Sequence, residues 1–119
     1  INGKTTYTQI LNKDGGIEID CTVVCLEKNY FRIISSAATR ERDKFFILNN
    51  ISKDIIFEDV TDKYCCLGVF GPKSRDLLSE ISQDNFSNEN FKFGTGKFVK
   101  INDMKLWAQR LSYVGELAS

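Results

Sequence analysis

The chain contains no histidine, and this absence excludes several kinds of chemistry. Ser-His-Asp and Cys-His catalysis both need an imidazole as the general base. A zinc site needs closely spaced cysteine pairs or histidine partners. The four cysteines, at positions 21, 25, 65 and 66, offer neither. We expect them to be small buried hydrophobic residues, because free cysteine is among the most buried residue types. The predicted metal content is therefore none.

The chain also lacks an excess of charge and a long apolar run. Lysine plus arginine and aspartate plus glutamate number 16 each, so no net charge attracts nucleic acid or an anionic membrane. The longest apolar run, residues 64–70, is far shorter than the roughly 20 residues of a membrane span. No charged and apolar leader precedes it, and cysteines without a signal peptide stay reduced. We expect no nucleic-acid or membrane partner and a cytoplasmic location, or the mitochondrial matrix in a eukaryote.

The composition is that of one ordinary soluble domain. Of the 119 residues, 42% are hydrophobic and 27% are charged, which suffices for a single core. The chain begins at Ile1 rather than methionine. We therefore expect residues 1–119 to be a single excised fragment of a larger domain.

Alternation of apolar residues predicts a mixed α+β fold with an antiparallel sheet and two inserted helices. Gly71 and Pro72 open the second helix, with Leu77, Leu78 and Ile81 facing inward. Ser36 or Thr39 caps the first, which runs to about residue 49. An Asn-Asp turn joins the last two strands. The predicted strands are residues 5–12, 17–26, 30–35, 54–59, 63–70, 97–101 and 105–113, and residues 84–90 form a surface loop.

Asp20 is the leading candidate for a functional residue. It lies on the strand 17–26, whose odd positions Ile17, Ile19, Cys21, Val23 and Cys25 are all apolar and therefore predicted to be buried. Asp20 points to the opposite face, shortly after a Gly-Gly turn. Taken alone, an aspartate in this position is most often a solvated surface residue.

Four ordered motifs nevertheless resemble the aminomethyltransferase family, which includes the glycine-cleavage T-protein and the folate-binding regions of dimethylglycine and sarcosine dehydrogenases. The sequence around Asp20 is more similar to the dehydrogenases than to the T-protein. The resemblance implies the family's ferredoxin-like folate-binding fold and tetrahydrofolate as the cofactor. The motifs are residues 7–20 (YTQILNKDGGIEID), 36–43 (SAATRERD), 71–78 (GPKSRDLL) and 110–116 (RLSYVGE).

The resemblance implies a catalytic pair. Asp20 matches the aspartate that reaches the folate nitrogens carrying the one-carbon unit. A carboxylate there either hydrogen-bonds the amine and stabilises a cationic iminium, or takes a proton from the nitrogen. Tyr7 matches a tyrosine near the reacting carbon in the oxidase and dehydrogenase branch. Packing across the sheet is an equal explanation for Tyr7.

The resemblance also implies a set of folate contacts. Tyr113 matches a tyrosine that lines the pterin pocket, and Glu116 of the same motif shapes the turn more than it contacts the ligand. Ile34 and Ser36 fall where the family has an apolar residue and an asparagine. Ser36 is a departure, because a hydroxyl offers fewer hydrogen bonds than an amide. Capping of the first helix explains Ser36 equally well.

The implied function is one-carbon transfer from a glycine-type amine to tetrahydrofolate. The donor is a small methylated amine or an aminomethyl-lipoyl protein, and a dehydrogenase parent carries FAD in a separate domain. The glutamate that clamps the pterin falls one position past Ser119, so we expect the isolated chain to be inactive or nearly so. The alternatives are a non-catalytic folate-binding regulatory protein and a tetrahydrofolate-dependent demethylase of the same fold.

Overall fold

The computed structural model describes residues 1–112 and residue 115, and the chain forms two compact units. The first unit contains Ile1–Thr6, Val24–Phe31 and the described residues from Leu67 onward. The second contains Tyr7–Val23 and Arg32–Cys66. Among the described residues, neither α-helix has the length and apolar character needed to span a bilayer.

The elements confirm the predicted α+β class. Strands β1, β2 and β3 form one sheet in the order β1-β2-β3, and β4 pairs with β5 antiparallel in a second sheet. Short 3₁₀ turns precede α1 and lie between the two helices, at Ala37–Thr39 and Thr61–Lys63. The bounds are β1 Thr5–Leu11, β2 Ile17–Glu27, β3 Tyr30–Ser35, α1 Arg40–Asn50, α2 Ser74–Ile81, β4 Thr95–Ile101 and β5 Met104–Arg110.

The predicted Gly-Gly turn between β1 and β2 is confirmed. The N–H of Asn12 donates to Gly16 O (2.8 Å), and that of Gly15 donates to Asn12 O (3.0 Å). Gly15 has φ +83°. This is a three-residue hairpin loop that ends in a β-bulge with glycine in the left-handed region. The Asn12 side chain also accepts from the N–H of Asp14 and Gly16.

The predicted start of the first helix is confirmed. The Ser36 hydroxyl accepts a hydrogen bond from the N–H of Ala38 at 3.3 Å, which caps the 3₁₀ turn leading into α1. In the first turn of α1, the hydroxyl of Thr39 donates to the carboxylate of Asp43 at 2.7 Å. Asp43 is 4% exposed, and a carboxylate at this end of a helix is favoured by the helix dipole.

Each unit has its own apolar core. The core of the first unit is built from α2, the loop after it and β4, and it consists of Leu78, Phe86, Phe91 and Val99. The core of the second unit joins β2 to α1 through Ile19, Cys21 and Ile47. The expectation that Ile19 and Cys21 face the core is therefore confirmed.

Two predicted strands are wrong. Residues 54–59 and 63–70 form neither strand nor α-helix: Lys63 ends the short 3₁₀ turn, and Phe70 is a single bridge residue. A strand needs a neighbour for its backbone N–H and C=O groups, and no described strand pairs with these segments. Cys65 and Cys66 are consequently exposed rather than buried, and Cys25 is only half-buried.

The predicted inward faces of β2 and α2 need correction as well. Ile17 is 66% exposed because it begins the strand directly after the turn, whereas Val24, at an even position of the strand, is fully buried. On α2, Leu78 is buried, while Leu77 and Ile81 are about half exposed. The buried stripe of this two-turn helix runs through Ser74 and Leu78, four residues apart.

Candidate functional site

The second unit contains four of the six residues predicted for the site. Tyr7 lies on β1, Asp20 on β2, Ile34 on β3, and Ser36 directly after β3. The other two, Tyr113 and Glu116, lie outside the described residues.

Asp20 projects from the middle strand of the three-stranded sheet and is exposed. The side-chain amide of Gln9, on the neighbouring strand β1, donates to Asp20 Oδ1 at 3.2 Å. Among the described residues this is the single hydrogen bond of the Asp20 carboxylate. Asp20 thus has one oxygen engaged and one available, which is an arrangement suited to accepting a hydrogen bond from a ligand N–H.

Tyr7 shares this face of the sheet. It lies two residues before Gln9 on β1, and side chains two apart on a strand point to the same side. Its side chain is 64% exposed. The structure therefore brings Tyr7, Gln9 and Asp20 to one exposed face, with a carboxylate and an aromatic ring on adjacent strands.

Ile34 and Ser36 lie close to the strand that carries Asp20: Ile34 is on the neighbouring strand and Ser36 directly follows it. Ile34 lies on β3, the other neighbour of β2, and is partly exposed. Ser36 is exposed, and its oxygen already accepts the capping hydrogen bond from Ala38. The capping explanation for Ser36 is therefore confirmed, and the hydroxyl keeps its hydrogen and one lone pair for a further hydrogen bond.

Two polar side chains contact Glu18, which lies two residues before Asp20 on β2. Asn12 donates to the Glu18 carboxylate at 3.1 Å, and Arg42 donates to the Glu18 backbone oxygen at 2.6 Å. The Arg42 guanidinium also lies 3.5 Å from Asp43 Oδ1. No cation pairs with Asp20 among the described residues.

Burial raises the pKa of the Cys21 thiol, and the negative charges of Asp20 and Asp43 raise it further. This thiol stays protonated at neutral pH and is unsuited to nucleophilic attack. Elsewhere, no three cysteine, aspartate or glutamate side chains of the described residues come together to hold a metal ion.

Sequence reasoning missed one charged cluster in the second unit. The guanidinium of Arg40 forms two hydrogen bonds to Asp62 (3.0 and 2.8 Å) and one to Asp59 (2.9 Å). The hydroxyl and N–H of Thr61 also donate to Asp59. Hydrogen bonds from Thr61, and then from Arg40, hold the pKa of Asp59 below its usual range. The cluster ties the start of α1 to the irregular segment, and the spacing of 19 and 22 residues leaves no local signal for it.

Gln9 was also missed, although the sequence contains a signal for it. It lies in the motif 7–20, two residues after Tyr7, and side chains two apart on a strand share a face, so Gln9 is on the same face of β1 as Tyr7.

An open depression in the first unit contains none of the predicted site residues. It is lined by Arg75, Ser79, Asp84 and Phe86 among others.

Comparison with known proteins identifies the family of the chain. The sequence profile of the GCVT N-terminal domain matches residues 1–118. The 4-methylaminobutanoate oxidase (formaldehyde-forming) of Paenarthrobacter nicotinovorans is 36% identical over 116 residues, covering 96% of this chain and 14% of the oxidase. The aminomethyltransferase of Caldanaerobacter subterraneus subsp. tengcongensis is 30% identical over 116 residues, or 97% of this chain and 31% of that enzyme.

Human mitochondrial dimethylglycine dehydrogenase is 29% identical over 118 residues, covering 97% of this chain and 14% of the dehydrogenase. The chain thus spans between 14% and 31% of the length of these relatives. All three are named as enzymes that act on amines or aminomethyl groups. Because the profile matches nearly every residue, the chain belongs to the GCVT N-terminal domain family.

Proposed function

We propose that this chain is part of a tetrahydrofolate-dependent one-carbon transferase, in which Asp20 is the catalytic carboxylate. The observation that supports the proposal is the exposed Asp20 carboxylate, held by Gln9 through one oxygen and free of any described cation. A reduced pterin presents N–H donors, and the second carboxylate oxygen is a matching acceptor. The hydrogen-bond acceptor on this face therefore fits the N–H donors of a reduced folate.

The residues of the chain have distinct proposed roles. Asp20 accepts a hydrogen bond from the acceptor nitrogen and positions it, and its charge stabilises an adjacent cation. A second possibility for Asp20 is removal of a proton from that nitrogen. Tyr7, on the same face, lies beside the reacting carbon, and Ile34 supplies apolar contact. Tetrahydrofolate, when bound, supplies the nucleophilic nitrogen that takes up the one-carbon unit.

The donor is proposed from the relatives. A methylated amine fits the names of the oxidase and the dehydrogenase, and an aminomethyl group fits the name of the transferase. If the donor is a methylated amine, FAD is held by another part of the protein. Because the chain spans less than a third of each relative, the transfer reaction is proposed for the complete protein.

The test compares wild type, Asp20→Asn and Asp14→Asn in the complete protein. Asp14 is an exposed aspartate in the β1–β2 turn and serves as the matched control. We expect saturable binding of 5-formyltetrahydrofolate by all three proteins. Transfer of the one-carbon unit should fall by about 100-fold or more in Asp20→Asn alone, since a positioned acid or charge contributes on that order.

Other results would favour the alternatives. Folate binding without any transfer by the wild type, from methylated amines or aminomethyl-lipoyl protein, would indicate a regulatory binding protein. Transfer from a methylated sulfur compound would indicate a demethylase. Failure of the wild type to bind any reduced folate would refute the proposal.

A further inference from the structure

The contact between Gln9 and Asp20 joins two exposed side chains on adjacent strands. Gln9 Nε2 donates to Asp20 Oδ1 at 3.2 Å, within the range of an N–H···O hydrogen bond. The two residues are 11 positions apart, so the sheet pairing of β1 with β2 makes the contact. The Gln9 side chain thus reaches across the face that also displays Tyr7.

A free aspartate carboxylate has little torsional preference, because rotation about its last sp³–sp² bond is broad. On a solvent-exposed face, nothing except a specific hydrogen bond defines the plane of its two oxygens. The amide of Gln9 provides that bond to Oδ1, and a fixed Oδ1 limits the orientations open to Oδ2. The orientation is gained before any ligand arrives, which lowers the entropic cost of binding.

The chemistry of glutamine suits this role. A lysine or arginine in its place would form an ion pair with Asp20 and neutralise the charge that a ligand N–H or an iminium needs. The neutral amide donates a hydrogen bond and leaves the charge in place. Arg42, which donates to the backbone oxygen of Glu18 two residues before Asp20, pairs with Asp43 instead of Asp20.

We propose that Gln9 is a positioning residue: it holds Asp20 Oδ1 so that Oδ2 faces the N–H of the one-carbon acceptor. This inference rests on the proposed function of Asp20. Gln9 acts through Asp20 and does not itself contact the reacting atoms. Its loss should therefore have no effect in a protein that already lacks the Asp20 carboxylate.

The experiment is a double-mutant cycle on the binding of 5-formyltetrahydrofolate to the complete protein. The proteins are wild type, Gln9→Met, Asp20→Ala and the double variant. Methionine has nearly the shape of glutamine but donates no hydrogen bond. Gln83→Met, at an exposed glutamine of the first unit, is the matched control. A second measurement follows the side-chain amide resonances of Gln9 in the ligand-free 119-residue chain, with and without Asp20→Ala.

We expect Gln9→Met to weaken folate binding about fivefold, the loss that corresponds to one hydrogen bond. In the Asp20→Ala background the same change should alter affinity less than about twofold, and Gln83→Met should alter nothing. The Gln9 amide resonances should shift when Asp20 is removed.

Three results overturn the inference. Equal losses from Gln9→Met in both backgrounds would mean that Gln9 contacts the ligand or supports the fold independently of Asp20. Unchanged affinity in Gln9→Met, with normal binding by the wild type, would refute the positioning role alone. Gln9 amide resonances indifferent to Asp20→Ala would show that the contact is absent in solution. If the wild type binds no folate, the proposed function itself fails, and the positioning role fails with it.

Discussion

Gly3 is the backbone position where the structure predicts the largest effect of a single methyl group. Its N–H donates to Cys25 O (2.7 Å), the Cys25 N–H donates to Lys4 O (2.9 Å), and Gly3 has φ +82°. These features define a glycine β-bulge at the start of β1. Gly3 O also accepts from the N–H of Gly96 at 2.6 Å, and a Cβ on Gly3 would lie 2.3 Å from Gly96 O.

The expected cost of Gly3→Ala has two parts. A residue with a Cβ in the left-handed region costs about 1–2 kcal/mol. The 2.3 Å contact cannot persist, so the two backbone segments must separate, and the lost hydrogen bond from Gly96 costs about 1 kcal/mol more. We therefore expect the free energy of unfolding of the first unit to fall by about 2–3 kcal/mol. With urea m-values of about 1–3 kcal/mol/M, the midpoint falls by roughly 1 M or more.

Gly71→Ala is the matched control within the same unit. Gly71 has φ +105°, and a Cβ there meets no atom within 4 Å, so its variant carries the conformational cost alone. Gly3→Asn is a second control, because asparagine tolerates positive φ but keeps the Cβ that meets Gly96. Unfolding is followed by the fluorescence of the single tryptophan, Trp107, on β5 of the first unit. The reasoning is refuted if Gly3→Ala is no less stable than Gly71→Ala.

Two further predictions concern the second unit. Arg40 hydrogen-bonds to Asp62 and holds the pKa of that carboxyl below its ordinary value of 3.8, so the stabilisation is present above about pH 4 and is lost as the pH falls below it. The free energy of unfolding is measured by urea titration followed by circular dichroism. Between pH 5 and pH 3 it should fall less for Arg40→Met than for the wild type. An equal fall in both proteins would contradict this prediction. Iodoacetamide should modify Cys65 and Cys66 well before Cys21, because the first two are exposed whereas burial and nearby carboxylates raise the pKa of the Cys21 thiol. Mass spectrometry of a time course measures the order, and equal rates at Cys21 would show that it is not buried.

Local sequence signals predicted the elements whose geometry is decided within a few residues. The Gly-Gly turn required a left-handed residue at Gly15, and the Asn-Asp turn required one at Asn102, with φ +51°. Ser36 was recognisable as a cap because its hydroxyl satisfies an N–H at the beginning of the helical segment. Each of these features depends on backbone groups close by in the chain.

The apolar segments 54–59 and 63–70 could not be judged in the same way. Their composition favours strands, but a strand forms only where another strand is available to pair with it. In the structure these residues remain irregular, and Cys65 and Cys66 are exposed. The charge cluster of Arg40 instead joins this segment to α1 over some 20 residues of sequence.

The candidate site was likewise predicted in part from the sequence and decided in part by strand pairing. Alternation along β2 placed Asp20 on the face opposite Ile19 and Cys21, and the first motif placed Tyr7 on the neighbouring strand. The pairing of β1 with β2 then determined which residue meets Asp20, and this residue is Gln9.

The sequence by itself therefore determined the family, the α+β class and the tight turns, and it singled out Asp20 as the candidate carboxylate, because each follows from residue types at fixed short spacings. Only the tertiary structure decided the partner of Asp20, the buried position of Asp43 and the exposure of the adjacent free cysteines Cys65 and Cys66. Those properties depend on which distant segments lie side by side, and no spacing along the chain specifies that.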